Sequence, residues 1–349
     1  MKLDREQLRS KAVDVYRYMT ADHSGNWGMD LGYWDWVPGV GVIAMLEYGL
    51  SGLNPSVTDD VRTWVLARKQ RQLDDLVINA VAPYAVFPEL HRYSGDAAYA
   101  DKAEEVGRWL LAHAPRTREG AFEHTVTEQA AFPEQVWADT VFMALLFMAR
   151  VSRMRGDQQM AEEVARQLAL HFRLLQDNET GVLFHGWNCS VGDHMSAARW
   201  TRGNAWVAVG VPMIAEQLQP LGIWPETLTD CYRTLLRGLL AYQQPDGMWR
   251  TVMDQPGFYN ETSGSAGIAC GMLKASRLGL ADDSYAKAAL QTLQSVVEQI
   301  ASNGEVQGVS SGTPVKDHIA DYNRIPLEPT LYGQGLTLML LVEALNDNY

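Results

Sequence analysis

The chain has 349 residues, 47% of them hydrophobic, and a formal net charge of −13. That is ample for a large core, and with no Pro-, Ser- or Gly-rich linker a single domain over 1–349 is expected. The acidic balance argues against nucleic acid and anionic membrane surfaces as partners, while leaving room for a small anionic ligand in a locally positive pocket.

In chain order, the N-terminal stretch MKLDREQLRSKAVDVYRYM carries charges throughout and has no signal-type apolar core. The first apolar unit is VPGVGVIAMLEYGL (37–50), followed by INAVAPYAVFPELHRY (78–93) and VWADTVFMALLFMAR (136–150). RGNAWVAVGVPMIAEQL (202–218), TSGSAGIACGMLKASRL (262–278) and YGQGLTLMLLVEAL (332–345) complete a set of six. Each is small and apolar nearly all round, the pattern of a helix buried on every side. More amphipathic segments with charged faces lie between them, at 96–114, 157–176 and 283–300. Similar turns lead into these: SGDAAY (94–99), RGDQQM (155–160) and ADDSYA (281–286). No apolar run approaches the roughly 18 residues of a membrane span. Strand signals are scarce.

Repetition of this kind predicts stacked helix hairpins. The expected fold is all-α, an (α/α)6 barrel of six inner and about six outer helices. An open α-solenoid is the competing layout, but its inner helices usually expose a polar concave face, and these six are apolar along most of their length. In a barrel the active site lies where the inner helices begin. Polar and aromatic residues gather at those ends: Trp34 and Trp36, Asn79, Trp137 and Asp139, Arg202 and Trp206, Glu261.

Asp139 opens the third unit beside Trp137, where a carboxyl group is costly without a partner or a task. Capping of the helix is the commoner role for Asp on that string alone. The rest of the chain favours chemistry. Arg202 and Trp206 are four apart and share a helix face, so a guanidinium and a flat apolar plate are offered together. That pair suits a carboxylated sugar ring; an Arg paired with a core carboxylate is the bland alternative. His124 in GAFEHT, and His185 with Trp187 in FHGWN (184–188), are ligand-contacting candidates, although a lone His is more often a satisfied hydrogen-bonding residue. The eight His and three cysteines (Cys189, Cys231, Cys270) have no metal-ligand spacing, so neither a metal nor a cofactor is expected. The odd cysteine count suits a reduced, cytoplasmic setting. No phosphate-loop, dinucleotide or nucleophile-elbow motif is present. Eleven Trp and fourteen Tyr suit a sugar-binding cleft as well as an ordinary core.

In this order, W-x-D (Trp137, Asp139), F-H-G-W (Phe184 to Trp187), W-x-R-x-x-x-W (Trp200, Arg202, Trp206) and E-T-S-x-S-A (Glu261 to Ala266) make the chain resemble glycoside hydrolase family 105 over nearly its whole length. These are the unsaturated rhamnogalacturonyl hydrolases; family 88, the unsaturated glucuronyl hydrolases, is a more distant likeness. The resemblance implies removal of a terminal 4,5-unsaturated uronic acid from pectin-type oligosaccharides by hydration of a vinyl ether. It places Asp139 at the general acid/base position. It also places Trp137, His185, Arg202 and Trp206 at substrate-contacting positions, and Trp36, Asn79 and His124 join them as binding candidates from the reading of the residues above. One departure stands out: the family commonly has a second acid near the start of the second inner helix, and here that position is Asn79, with Asp74 and Asp75 just upstream. A helix N-terminus lowers the pKa of Asp139 while burial raises it. The remaining alternatives are an inverting glycosidase or epimerase on the same scaffold, and a non-catalytic helical-repeat binding protein. The polar, Gly-rich loop 304–328 is expected to cover one side of the pocket. No motif specifies the aglycone or the oligomeric state.

Overall fold

Turns built from glycine and aspartate set the rhythm of this chain. Gly95 and Gly156 adopt left-handed conformations (φ 73° and 65°) at the ends of inner helices, where a residue with a Cβ would be strained. Asp96 and Asp157 then cap the next helix through their side chains, and Asp282 does so in the third related turn. Inner helices therefore stop abruptly and outer ones start at once, which is what a hairpin stack requires.

The computed structural model describes residues 4–71 and 76–346. Six outer helices, α1 (Arg5–Thr20), α3 (Val57–Ala67), α5 (Ala97–Ala112), α7 (Gln158–Leu175), α9 (Glu226–Tyr242) and α11 (Asp283–Glu298), alternate with six inner ones. The inner set is α2 (Trp36–Leu50), α4 (Phe87–Ser94), α6 (Leu146–Arg155), α8 (Thr201–Leu218), α10 (Thr262–Arg277) and α13 (Leu331–Ala344); α12 (Ile319–Tyr322) is a short turn within the last long loop. Each inner segment packs on the next, and α13 packs back on α2, so the ring closes. This is the expected (α/α)6 barrel. On α2, α8, α10 and α13 nearly every residue is buried. Outer α7 buries one stripe, including Met160, Val164, Leu168, Phe172 and Leu175, at the spacing of one helix face.

Three departures from the sequence reading stand out. The second inner segment runs as a 3-10 helix over Asn79–Val86 before becoming α4, because Pro83 has no N–H to donate to the helix ladder. The third does not begin as a helix at Val136: Gln135–Trp137 forms strand β1, paired antiparallel with β2 (Gly186–Asn188) in the register Val136 to Trp187. Helical backbone starts at Asp139, and a π-helical stretch over Val141–Leu145 precedes α6. Outer helices α1, α3 and α9 lack the turn signature that announces the others in sequence.

Inner helices pack closely because their residues are small. A Cβ added at Gly271 of α10 would lie 2.1 Å from the Ala208 carbonyl oxygen of α8. All six inner helices end at one mouth, where a cavity of about 980 Å³ is lined by seven Lys/Arg side chains and four Glu. An ion-pair chain runs across it: Arg150 to Glu47 (2.7 Å), Glu47 to Lys274 (3.4 Å), Lys274 to Glu343 (3.2 Å), and Glu343 to Arg277 (2.6 Å). Among the described residues, no helix is long and apolar enough to cross a membrane.

Candidate active site

The two short strands place the chemistry. Their ladder continues as a hydrogen bond from the Ala138 N–H to the His185 carbonyl (3.0 Å), so the residues on either side, Asp139 and His185, face each other. His185 Nε2 stands 3.4 Å from Asp139 Oδ2. The two atoms touch electrostatically without forming a well-aligned hydrogen bond, and both are otherwise unpartnered, a common state for catalytic groups awaiting a ligand. The three non-glycine residues with left-handed backbone among the described residues, Glu134, Met195 and Ala197, all flank this ladder.

Asp139 lies on the lining of a cavity of about 270 Å³ at the mouth where the inner helices begin. Seven of the sequence candidates meet there: Trp36, Asn79, His124, Trp137, Asp139, Arg202 and Trp206. His185 sits directly behind Asp139 and is 1% exposed. Trp34 is not at the cavity; it stacks on Trp64 within the core. Trp187 turns toward His194. Asp74 and Asp75 fall outside the described residues. The 304–328 loop contributes Ser311, Gly312, Thr313 and Pro314 to one wall. Trp27, Glu128, Phe132 and Trp200 also line the cavity. Of these, Trp27, Glu128 and Phe132 lie in irregular loops where no periodicity marks them; the only hint was an aromatic within a Gly-rich turn at Trp27. Asp139 and Glu128 are the carboxylates on the lining, and Glu128 is exposed at the rim.

Several polar atoms at the cavity make no hydrogen bond: the indole nitrogens of Trp36, Trp200 and Trp206, Asn79 Oδ1 and, apart from its approach to His185, Asp139 Oδ2. Buried polar groups are normally satisfied, so this cluster marks a place for a polar ligand. Arg202 is different. It is fully buried, faces Glu261 at 3.3 Å, and directs its terminal nitrogens to Ser263, to Ser310, to the Ser311 carbonyl and to Thr313. Its guanidinium lies between the Trp200 and Tyr332 rings, 4.6 and 4.7 Å from their centres. It thus lines the cavity and pairs with a core carboxylate at once, anchoring the 310–313 wall. Glu261 in turn caps α10 through the Gly264 N–H.

Electrostatics separate the titratable groups. Burial acts to raise the Asp139 pKa, but the approach and charge of His185, with that of His124, outweigh it and hold the carboxyl below its ordinary range. Burial holds both imidazoles down as well, His124 to about 4. His124 is fixed by Thr140 Oγ1 (2.9 Å) and stacks on Trp137 at 4.5 Å. With both imidazoles neutral, the polar approach of His185 is the influence that persists.

A profile described as Glycosyl Hydrolase Family 88 matches residues 12–347. The chain is 33% identical over 318 residues to the unsaturated rhamnogalacturonyl hydrolase YesR of Bacillus subtilis, covering 89% of this chain and 90% of that one. Two crystal structures described as possible members of the GH105 family are similar throughout. That from Salmonella enterica has a TM-score of 0.94 at 27% identity, covering 100% of this chain and 96% of its own. That from Klebsiella pneumoniae has 0.93 at 28%, covering 100% and 95%. With a closed ring of six helical hairpins, a carboxylate at the inner-helix mouth and a match along nearly all of its length, this chain belongs to Glycosyl Hydrolase Family 88.

Proposed function

We propose that this chain is one catalytic domain over 1–349 that removes a terminal 4,5-unsaturated uronic acid from rhamnogalacturonan-derived oligosaccharides by hydration of the C4=C5 bond. The observation that carries this reading is Asp139, whose Oδ2 faces His185 Nε2 at 3.4 Å and has no other partner, at the lining of an aromatic cavity among unpartnered indole N–H groups. The name and extent of the Bacillus relative support the substrate class.

The cavity suits one sugar ring, with the aglycone toward the open rim at Trp27 and Glu128. Trp36, Trp200 and Trp206 would donate to the uronate carboxylate and hydroxyls, with the charge of Arg202 behind them, and Asn79 Oδ1 would accept from a hydroxyl. His124 and Trp137 would form one wall. A bound carboxylate beside Asp139 disfavours its ionised form, so the substrate itself would load the acid with a proton. Asp139 would give that proton to C4. Water would then bond to C5 and return a proton to Asp139, and the resulting hemiketal would open to release the aglycone sugar. This route needs one well-placed acid/base more than the two spaced carboxylates of ordinary glycosidases. The free thiols of Cys189, Cys231 and Cys270 support a reducing, cytoplasmic setting.

The test is to follow the ultraviolet absorbance of the C4=C5 uronate in lyase-digested pectin. Loss of the absorbance on adding protein, matched by release of reducing sugar, is the expected result. Reducing sugar released with the absorbance intact would instead identify an ordinary glycosidase.

A further inference from the structure

His185 is held from behind as well as facing Asp139. Its Nδ1 lies 2.7 Å from Tyr322 Oη. Tyr322 sits on α12 in the 304–328 loop, yet it is fully buried, packed with Ala198, Trp200 and Val252. Its oxygen accepts the Lys316 backbone N–H (3.2 Å), and its own carbonyl accepts from Tyr259 Oη (3.2 Å), which ties the short helix in place.

The donors and acceptors then have one consistent arrangement. A carboxylate has only lone pairs to present, so the His185 nitrogen facing ionised Asp139 carries the hydrogen. Nδ1 is therefore an acceptor, and the single hydroxyl hydrogen of Tyr322 goes to it. The chain reads Lys316 N–H to Tyr322 O–H to His185, whose Nε2–H faces Asp139 at 3.4 Å. We propose that Tyr322 is a positioning residue: it fixes His185 as the Nε2–H tautomer, and through it the orientation and ionised state of Asp139 before substrate arrives. The proposal rests on the acid/base role given to Asp139 above. The other charged or titratable groups facing this chain are His124, beside Asp139, with His171 behind it, and Arg202 and Lys316, on the His185 side. Packing alone would be met by phenylalanine; the hydroxyl is what the geometry uses.

Tyr322→Phe tests it. Hydration needs protonated Asp139, so kcat/KM falls as pH rises through the apparent pKa of that acid. Without the phenol the carboxylate loses part of its support, and this limb should move to higher pH by about one unit. A limb that stays in place, even in a less stable variant, overturns the proposal, because a purely structural tyrosine would change the folded fraction alone. Nitrogen NMR of protein carrying labelled histidine reads the tautomer without catalysis. Wild type should give His185 protonated at Nε2, and a signal from Nδ1–H would overturn the relay. Turnover retained in Asp139→Asn would count against the proposed function, and the NMR result distinguishes that failure from a failure of the relay.

Discussion

Asp139 and Arg202 occupy one cavity but carry different risks. Asp139→Asn removes the proton carrier and nearly nothing of the packing, so turnover should fall to background while the thermal transition stays within a few degrees. Absorbance kinetics and circular dichroism on the same preparation check this. Arg202→Ala leaves Glu261, 0% exposed, without its cation and frees the 310–313 wall. Breaking a buried pair destabilises by about 3–5 kcal/mol, so chemical denaturation should register the loss before binding is measured. Asn79→Asp puts a second ionisable group near Asp139 and should push the apparent pKa values of the pair apart. Asn79→Ala should leave the shape of the pH–rate profile intact. A profile identical in wild type and Asn79→Asp would place residue 79 outside the chemistry. Much of this site was legible in sequence because Asp139, Arg202 and Trp206 stand at the starts of recognisable inner segments. Trp27 and Glu128 at the cavity, and Tyr322 behind His185, were not, since loop residues reach these places by tertiary folding that no local period encodes.

At the level of elements, the inner segments were legible because residues apolar on all faces admit few locations other than a core. Their first turns were not. Val136 and Trp137 read as helix, yet their backbone pairs with β2, and that pairing is a contact between segments fifty residues apart. Outer α9 carries as clear an amphipathic stripe as α7, but no Gly–Asp turn announces it. Small residues on the inner helices are also exacting. Gly271→Ala forces a methyl group against the Ala208 carbonyl, which backbone cannot avoid by changing rotamer. A loss of about 1–3 kcal/mol is the overpacking range, and urea denaturation should place Gly271→Ala there or beyond.

Across the whole molecule, six parallel inner helices turn their C-termini toward one mouth, each with an effective charge of about −0.5. The surplus of three cations lining that mouth is close to what those six ends require, so the cluster is accounted for by the fold itself. Lys274→Met should therefore destabilise by about 3 kcal/mol, the lower end for a broken buried pair, because Glu47 and Glu343 keep Arg150 and Arg277. Burial works to raise the pKa of both glutamates, but Lys274 and the arginines outweigh it and hold them below the ordinary range. Their contribution is complete above the unfolded carboxylate value and is lost as pH falls through the depressed folded values. His124 and His171, pushed by burial to about 4, add an earlier loss. Protonation favours the unfolded chain, where their pKa is near 6.5, so stability should begin to decline below that pH and steepen below about 4.5. Thermal melts across pH 3 to 8 (roughly the span of these values) would trace both stages.

The seam between α13 and α2 bears on how the protein is made. A ribosome delivers α2 first among the inner helices and α13 last, with almost the entire chain between them. Until α13 emerges, the growing ring is an open arc whose two edges, on α2 and α10, are apolar and unpaired. Such intermediates are prone to aggregate, and closure by so distant a contact is slow. A stop before Leu331 would yield that arc permanently, and a chaperone-free translation system should deliver it as insoluble product.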